Sequence, residues 1–317
     1  MTVRWGFLGA GFVATAGMAP AVHAAKNAQL YGVASRSKTR SQALGPTHVY
    51  ENYDLLLADP AIDAVYISLA NNQHFEWVTK ALHAGKHVLC EKPLALNASE
   101  AQQLRETADQ CNLVLVEAVW ARWHPRFQRI QELVTSGSLG QLQQIDSTFT
   151  SVSKFVDNYR LQPEMGGGAL LDVGCYQVHV WVALTNGAED FQIEGITREV
   201  GPTGVDLTTS VSGRINGSVG VTAISSFVME SSQTLVITGE KNSTKTHEGE
   251  AFTTWRKPSS LLIGDTTEVF ATADAFVIMT ENVSSYIKDG SGWIVPVSDS
   301  VRVAQILDTI AACAILQ

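Results

Sequence analysis

The sequence predicts an α/β fold: an N-terminal doubly wound parallel sheet, then a C-terminal α+β domain with a large, mainly antiparallel sheet. Three observations carry this. Up to about residue 119, short apolar runs alternate with helix-length segments, as in a parallel sheet wrapped by helices. Beyond residue 120, segments rich in Val, Ile and Thr are joined by Gly, Asn and Ser turns, the pattern of antiparallel hairpins. At 317 residues the chain is also long for a single hydrophobic core. The boundary is therefore expected between domains 1–119 and 120–317.

The elements follow in order. Strands are expected at 3–8, 28–34, 64–68, 87–90 and 113–117, with helices at 12–25, 72–84 and 99–110 between them. Gly85 suits the C-terminal cap of the second helix, and Asn97 or Ser99 the N-cap of the third. The later part opens with a helix at 125–135 ending at Gly137 and a strand at 142–150. Antiparallel hairpins are expected from 206–215, 218–227 and 233–238, one of them turning at Asn216-Gly217. Helices at 273–288 and 298–316 complete the chain. There is no internal repeat and no low-complexity linker, so the two domains are expected to be closely coupled.

Composition removes several classes of function. With 45% hydrophobic and 17% charged residues, the chain has enough apolar surface for a globular core and too little charge for extended disorder. The net charge of −9, without a cluster of Lys and Arg to track a phosphate backbone, argues against nucleic acid as a partner. No apolar stretch approaches the roughly 18 residues needed to cross a bilayer. Gly6, Gly9, Gly11 and Gly17 interrupt the N-terminal apolar run, which argues against a secretory signal. Cys90, Cys111, Cys175 and Cys313 lack metal-ligand spacing and are expected as reduced, buried thiols. A cytoplasmic protein without a metal site is the expectation.

Gly9-Ala10-Gly11-Phe12-Val13-Ala14 directly follows the first strand and opens the first helix. The first glycine permits the tight turn, and the second lets a pyrophosphate approach the backbone. Ala14 in the third place is small enough for helix–strand packing. Backbone N–H groups at the helix start then face the phosphates. Because strand, glycines, helix and second strand come in the required order, a dinucleotide-binding Rossmann unit is predicted. The second strand ends at Ser35-Arg36, with Arg40 close behind and no carboxylate to accept from a ribose 2′-OH. A serine hydroxyl and two guanidiniums suit a 2′-phosphate, which favours NADP, with NAD as the alternative cofactor.

Glu91-Lys92-Pro93 stands at the end of the fourth expected strand, where ligands of open α/β sheets bind. A lysine there can polarise a substrate carbonyl or depress the pKa of a neighbouring acid; the alternative is a surface turn. In the second domain Gly166-Gly167-Gly168 precedes a helical segment. It puts Asp172, Tyr176 and His179 at positions i, i+4 and i+7 of one face. Three successive glycines imply that another group comes close there. The alternative is an ordinary amphipathic helix.

These motifs, with Asn71-x-x-His74, occur in the order of the Gfo/Idh/MocA oxidoreductases, which the chain resembles over nearly its whole length. Tyr176, four residues after Asp172, resembles the branch holding dihydrodiol dehydrogenases, aldose dehydrogenases and sugar ketoreductases. Leu69-Ala70 replace the Thr-Pro usual before Asn71. The resemblance implies hydride transfer between a nicotinamide and the carbinol or carbonyl carbon of a sugar, polyol or diol. Lys92, Tyr176 and Asp172 are then the catalytic group: Tyr176 as acid or base, Lys92 lowering its pKa, and Asp172 orienting the lysine or the substrate. It also implies that Leu69, Ala70, Asn71, His74, Glu91, Ala118 and Arg160 line the cofactor side, along with Gly9 to Val13. His179 is expected in the core. Trp120, Arg122 and Trp123 suit either a substrate wall or packing at the domain junction. A homodimer or homotetramer through the C-terminal sheet is expected. The competing reading is a regulator that binds the dinucleotide without turnover.

Overall fold

The computed structural model describes residues 2–155 and 158–313 and divides into two compact units. Asp157 and the last three residues of the helix expected at 298–316 lie outside the described residues.

Unit 1 comprises Met1–Trp123 and Asp274–Ser300. Its six parallel strands are β1 (Val3–Leu8), β2 (Ala28–Ala34), β3 (His48–Tyr50), β4 (Ala64–Ile67), β5 (His87–Cys90) and β6 (Leu115–Glu117). They are ordered β3-β2-β1-β4-β5-β6. The chain winds outward one way from β1 and the other way from β4. The switch point, where such folds bind ligands, therefore lies at the carboxyl ends of β1 and β4. Trp5, Phe7, Leu8, Tyr66 and Ile67 are fully buried, as the apolar runs of a sheet covered on both faces require.

The helices of this part are α1 (Ala19–Ala24), α2 (Lys38–Ala43), α3 (Tyr53–Ala58), α4 (His74–His83) and α5 (Ala98–Cys111). A wide turn over Ala14–Met18 precedes α1, where the Ala19 N–H reaches back to Ala14 O. Pro20 follows at the start of α1; it has no N–H to continue the normal ladder, and the widened turn accommodates that loss. Asn97 caps α5 by accepting from Glu100 N at 2.9 Å, while the Glu100 carboxylate accepts from Leu96 N at 3.1 Å. β3, α2 and α3 had no counterpart in the sequence reading; each is six residues or shorter, too short for a periodicity to show.

A helix expected in the second domain belongs to unit 1. Here α8 (Ala275–Asp289) packs on the first sheet, with Trp5 Nε1 donating to Ser284 Oγ at 3.1 Å. A Cβ on Gly17 would meet the Phe276 ring at 3.0 Å, which explains a glycine inside the first helical segment. Trp120 stacks on Phe276 with centroids 4.9 Å apart. Arg122 pairs with Asp299 at 3.2 Å, and Trp123 donates to Trp293 O at 3.2 Å. All three side chains are buried in this packing.

Unit 2 comprises His124–Ala273 and Val301–Gln317. It carries α6 (Pro125–Thr135), α7 (Cys175–Leu184) and the later part of α9 (Val297–Cys313). Its strands are β7 (Leu142–Thr150), β8 (Phe191–Val200), β9 (Asp206–Ile215), β10 (Val219–Ser226) and β11 (Ser232–Gly239). β12 (Ser243–Glu248), β13 (Ser259–Ile263) and β14 (Thr266–Phe270) follow. The sheet order is β14-β13-β12-β11-β7-β10-β9-β8. The β9–β10 hairpin turns at Asn216 and Gly217, both with positive φ (50° and 67°), as a type I′ turn demands. The hairpin expected between β10 and β11 does not form. Both strands flank β7, β10 parallel to it and β11 antiparallel, because the chain crosses the end of β7 between them. α7 is buried all round against this sheet. Its fully buried Gln177 donates to Ser147 Oγ at 3.1 Å and accepts from Ser225 Oγ at 2.6 Å.

His124 caps α6, its Nδ1 accepting from Arg126 N at 3.1 Å. Burial, together with the Arg126 charge, pushes its pKa down to about 4. Between pH 6.5 and 4 the unfolded imidazole is protonated while the folded one is not, so stability is lost as pH falls through that window. The loss should reach about 2–3 kcal/mol by pH 4. His124→Asn keeps a cap and removes the titration. Urea unfolding at pH 7 and pH 4.5 should give a smaller pH difference for the variant; an unchanged difference would assign the effect elsewhere.

Candidate active site

The fingerprint sits at the switch point. Gly9 N–H donates to Ala34 O at 2.9 Å and Ser68 N–H to Leu8 O at 3.0 Å, tying the turn to the ends of β2 and β4. Gly9 has φ +105°, and a Cβ there would stand 2.7 Å from Ser68 O, so only glycine fits. Gly11 differs: a Cβ would meet nothing closer than Ser68 O at 4.0 Å. The protein itself leaves room at Gly11, as expected if a ligand comes against the backbone. Phe12, on the first helical turn, stands 81% exposed. These features fit the pyrophosphate of a dinucleotide.

At the end of β2 the structure divides the three residues expected to meet a 2′-phosphate. The Ser35 hydroxyl donates to Ser37 O at 2.9 Å, accepts from Ser37 N at 3.2 Å and lies 2.8 Å from Ser41 Oγ. It is committed to shaping the turn. Arg36 and Arg40 have exposed side chains. Burial pushes the Tyr53 phenol pKa up, and the charges of Arg36 and Arg40 oppose that shift.

Lys92 is half-buried, and buried polar groups hold its neighbours on both sides. Glu91 N–H donates to Ile67 O at 2.9 Å, and the Glu91 carboxylate accepts from Tyr66 Oη at 2.6 Å. Burial raises the Glu91 pKa despite that bond, with Glu117 adding to the rise. After the cis Lys92-Pro93 bond, Leu94 N–H donates to Glu117 Oε1 at 3.0 Å. His74 is fully buried: Nδ1–H donates to Pro93 O at 2.8 Å, and Nε2 lies 3.3 Å from Leu69 O. Burial lowers its pKa. Glu91 and His74, expected on the cofactor side, thus brace the loops after β4 and β5 from beneath. Leu69 and Ala70 are half-buried in the loop after β4, and Asn71 is buried where that loop turns into α4. Ala118 N–H closes the far side on Cys90 O at 2.7 Å. Tyr66 and Glu117 were missed by sequence reasoning; the only signal was a polar atom at each strand's end.

In unit 2 the three glycines serve close approaches within the protein. Gly166 has φ +73°, and a Cβ on Gly167 would stand 2.6 Å from Arg160 O. Gly168, at φ +115°, lies against the Asp206 carboxylate. A wide turn over Leu170–Gly174 then leads into α7 and carries buried Asp172. Asp172 Oδ2 accepts from Arg160 Nε at 2.7 Å, and the Arg160 guanidinium also lies 4.7 Å from the Tyr159 ring centroid. Burial works against the Arg160 charge, but Asp172 together with Tyr159 and Tyr176 offsets it and the pKa stays raised. Tyr176 is buried beside Phe149 and Phe252, at centroid distances of 5.7 and 6.4 Å. His179 is 1% exposed and belongs to the core. Among the described residues no group of His, Cys, Asp and Glu is arranged to hold a metal ion.

Comparison with known proteins agrees with this fold. Residues 3–118 match the profile described as "Oxidoreductase family, NAD-binding Rossmann fold", and residues 127–245 match the GFO/IDH/MocA C-terminal domain. The chain is 36% identical to a D-xylose 1-dehydrogenase (NADP(+)) of Haloferax volcanii, over 70% of its own length and 68% of that protein. It is 34% identical to a trans-1,2-dihydrobenzene-1,2-diol dehydrogenase of Xenopus tropicalis, over 67% and 65%. The matched segments span from 54% to 68% of the first curated relatives. A 3-ketoreductase from Actinomadura kijaniata, solved in complex with NADP and TDP-benzene, superposes with a TM-score of 0.87 at 25% identity, covering 98% of each chain. Both profiles and the fold agree: the chain belongs to the Gfo/Idh/MocA family of oxidoreductases.

Proposed function

We propose that the protein is an NADP-dependent oxidoreductase acting on the carbinol or carbonyl carbon of a sugar, cyclic polyol or diol. The observation that carries this is Lys92. It stands at the end of β5 beside the switch point, in a loop whose backbone is braced on both sides by buried Glu117, His74 and Glu91. So much buried polar support around one lysine is what a reacting group requires.

Gly9, Ala10, Gly11, Phe12 and Val13 would hold the pyrophosphate, and Arg36 and Arg40 the 2′-phosphate. The loop around Leu69, Ala70 and Asn71, with Ala118, would border the nicotinamide. When bound, the nicotinamide supplies or accepts a hydride at C4. The chain's own task is the proton. In this reading Lys92 and Tyr176 would both act on the substrate oxygen. The phenol passes the proton to that oxygen in reduction and takes it in oxidation. A free phenol ionises near pH 10, and a neighbouring ammonium brings it into a useful range. Asp172, paired with Arg160, fixes the start of the helix that presents Tyr176. Residues 1–119 would serve the cofactor, and 120–317 the substrate and a homodimer or homotetramer contact through the eight-stranded sheet. A cytoplasmic setting fits the four free thiols, and no helix among the described residues is long and apolar enough to cross a membrane.

The test is a turnover screen of aldoses, ketosugars and diols with NADP and NAD, followed at the reduced-nicotinamide band. At least one substrate should turn over, with NADP preferred. The double variant Arg36→Ala/Arg40→Ala should lower kcat/KM for NADP roughly 10–100-fold and for NAD less than about threefold, the loss expected for charge-assisted contacts. NADP binding with no turnover across the panel would replace this reading with that of a regulator.

A further inference from the structure

The connection between β12 and β13 is longer than the pairing needs. These strands are antiparallel neighbours that a short turn could join, yet residues 249–258 make an excursion between them. A loop of this kind is ordinarily mobile, and one that is pinned has a use. This one is pinned from two sides.

Arg126 holds the carbonyls. Its Nη1 donates to Glu248 O at 2.6 Å, and its Nη2 donates to Glu250 O at 2.5 Å and reaches Ala251 O and Thr254 Oγ1 at 3.3 Å. It is the second residue of α6, where the helix dipole disfavours a cation, and it is only 3% exposed. Its burial is compensated by the loop and by nothing that α6 itself needs. Gln233 of β11 holds the amides: its Oε1 accepts from Phe252 N at 3.2 Å and Thr253 N at 3.1 Å. Between the two clamps stands Phe252, 2% exposed, stacked on Phe149 at 5.5 Å and 4° and flanking Tyr176.

We propose that Arg126 and Gln233 are positioning residues for Tyr176, acting through Phe252 to fix the rotation of the phenol. This rests on the role given to Tyr176 above. A phenol backed by two packed phenylalanine rings has one orientation, and a proton carrier misplaced by about 1 Å can lose roughly a hundredfold in rate.

The experiment uses the full chain with an identified substrate and compares Arg126→Lys, Gln233→Leu, Phe252→Leu and Tyr176→Phe. Lysine keeps the charge but cannot bridge three carbonyls, so it should not rescue. Arg126→Lys and Phe252→Leu should each lower kcat about tenfold while KM and NADP affinity stay within about threefold. The solvent deuterium isotope effect on kcat should rise, because proton transfer becomes slower than the other steps. Combined, the two changes should cost little more than the worse one alone. A merely structural role would lower the folded fraction without moving the isotope effect, and would overturn the proposal. So would an inactive Tyr176→Phe beside loop variants of wild-type kcat and isotope effect; Gln233→Leu and Phe252→Leu decide it if Arg126→Lys does not fold. Turnover retained in Tyr176→Phe instead removes the reading on which the proposal rests.

Discussion

Replacing Lys92 by alanine should lower kcat on an identified substrate by about 10²–10⁴-fold, and Tyr176→Phe should fall in the same range, as loss of a positioned proton carrier does. Both changes spare the main contacts around the two positions. The bonds that hold the Lys92 loop come from Glu91, Glu117 and His74, none of which uses the lysine side chain. Phenylalanine at 176 keeps the ring that packs on Phe149 and Phe252 and removes only the hydroxyl. NADP affinity, followed by fluorescence titration, should therefore change by less than about threefold in Tyr176→Phe. Lys92→Arg separates two roles. Arginine keeps a positive charge but does not deprotonate, so partial activity would assign the lysine to electrostatic support of Tyr176, and none would assign it to proton transfer or to a fit that guanidinium spoils. Near wild-type turnover in both Lys92→Ala and Tyr176→Phe would end the proposed mechanism.

What the sequence revealed depended on how local the cause was. Gly9 was legible because a positive φ beside a strand end is a demand made by a few neighbouring atoms. Lys92 was legible because proline follows it at the end of an apolar run. The triple glycine correctly implied close approach, but not that the approaching groups are Arg160 O and the Asp206 carboxylate, 7 residues before and 38 after Gly167 and Gly168 respectively. Ser35 shows what residue type leaves out: its type suits a phosphate, and its hydroxyl also bonds within its own turn. Tyr66, Glu117 and Arg126 were hidden because a buried polar residue is written like any other until its distant partner is known. The parallel pairing of β10 with β7 and the packing of α8 on the first sheet are long-range choices that no window of sequence encodes.

Gly168→Ala should be strongly destabilising to unit 2. At φ +115° a non-glycine residue costs about 1–3 kcal/mol before any contact is considered. The added methyl would also run into Asp206 Oδ1. That carboxylate is 2% exposed and cannot swing aside freely. Its Oδ2 accepts from Leu170 N and Thr209 Oγ1, each at 2.8 Å, and its Oδ1 lies 3.4 Å from Arg198 Nη2. Moving it strips a buried N–H at the start of the helix that carries Asp172 and Tyr176, for roughly another 1–3 kcal/mol. A total of about 2–6 kcal/mol is a large part of the 5–15 kcal/mol by which proteins are stable. Gly187→Ala is the control, since Gly187 also has positive φ (94°) but nothing within 4 Å of an added Cβ. In urea unfolding Gly168→Ala should lose at least about 1 kcal/mol more than Gly187→Ala at an unchanged m value. Adding Asp206→Ala to Gly168→Ala should cost less than the two changes separately, because one methyl already disturbs what the other removes. Equal losses in the two glycine variants would mean that backbone conformation alone, and not the carboxylate, demands glycine at this helix start.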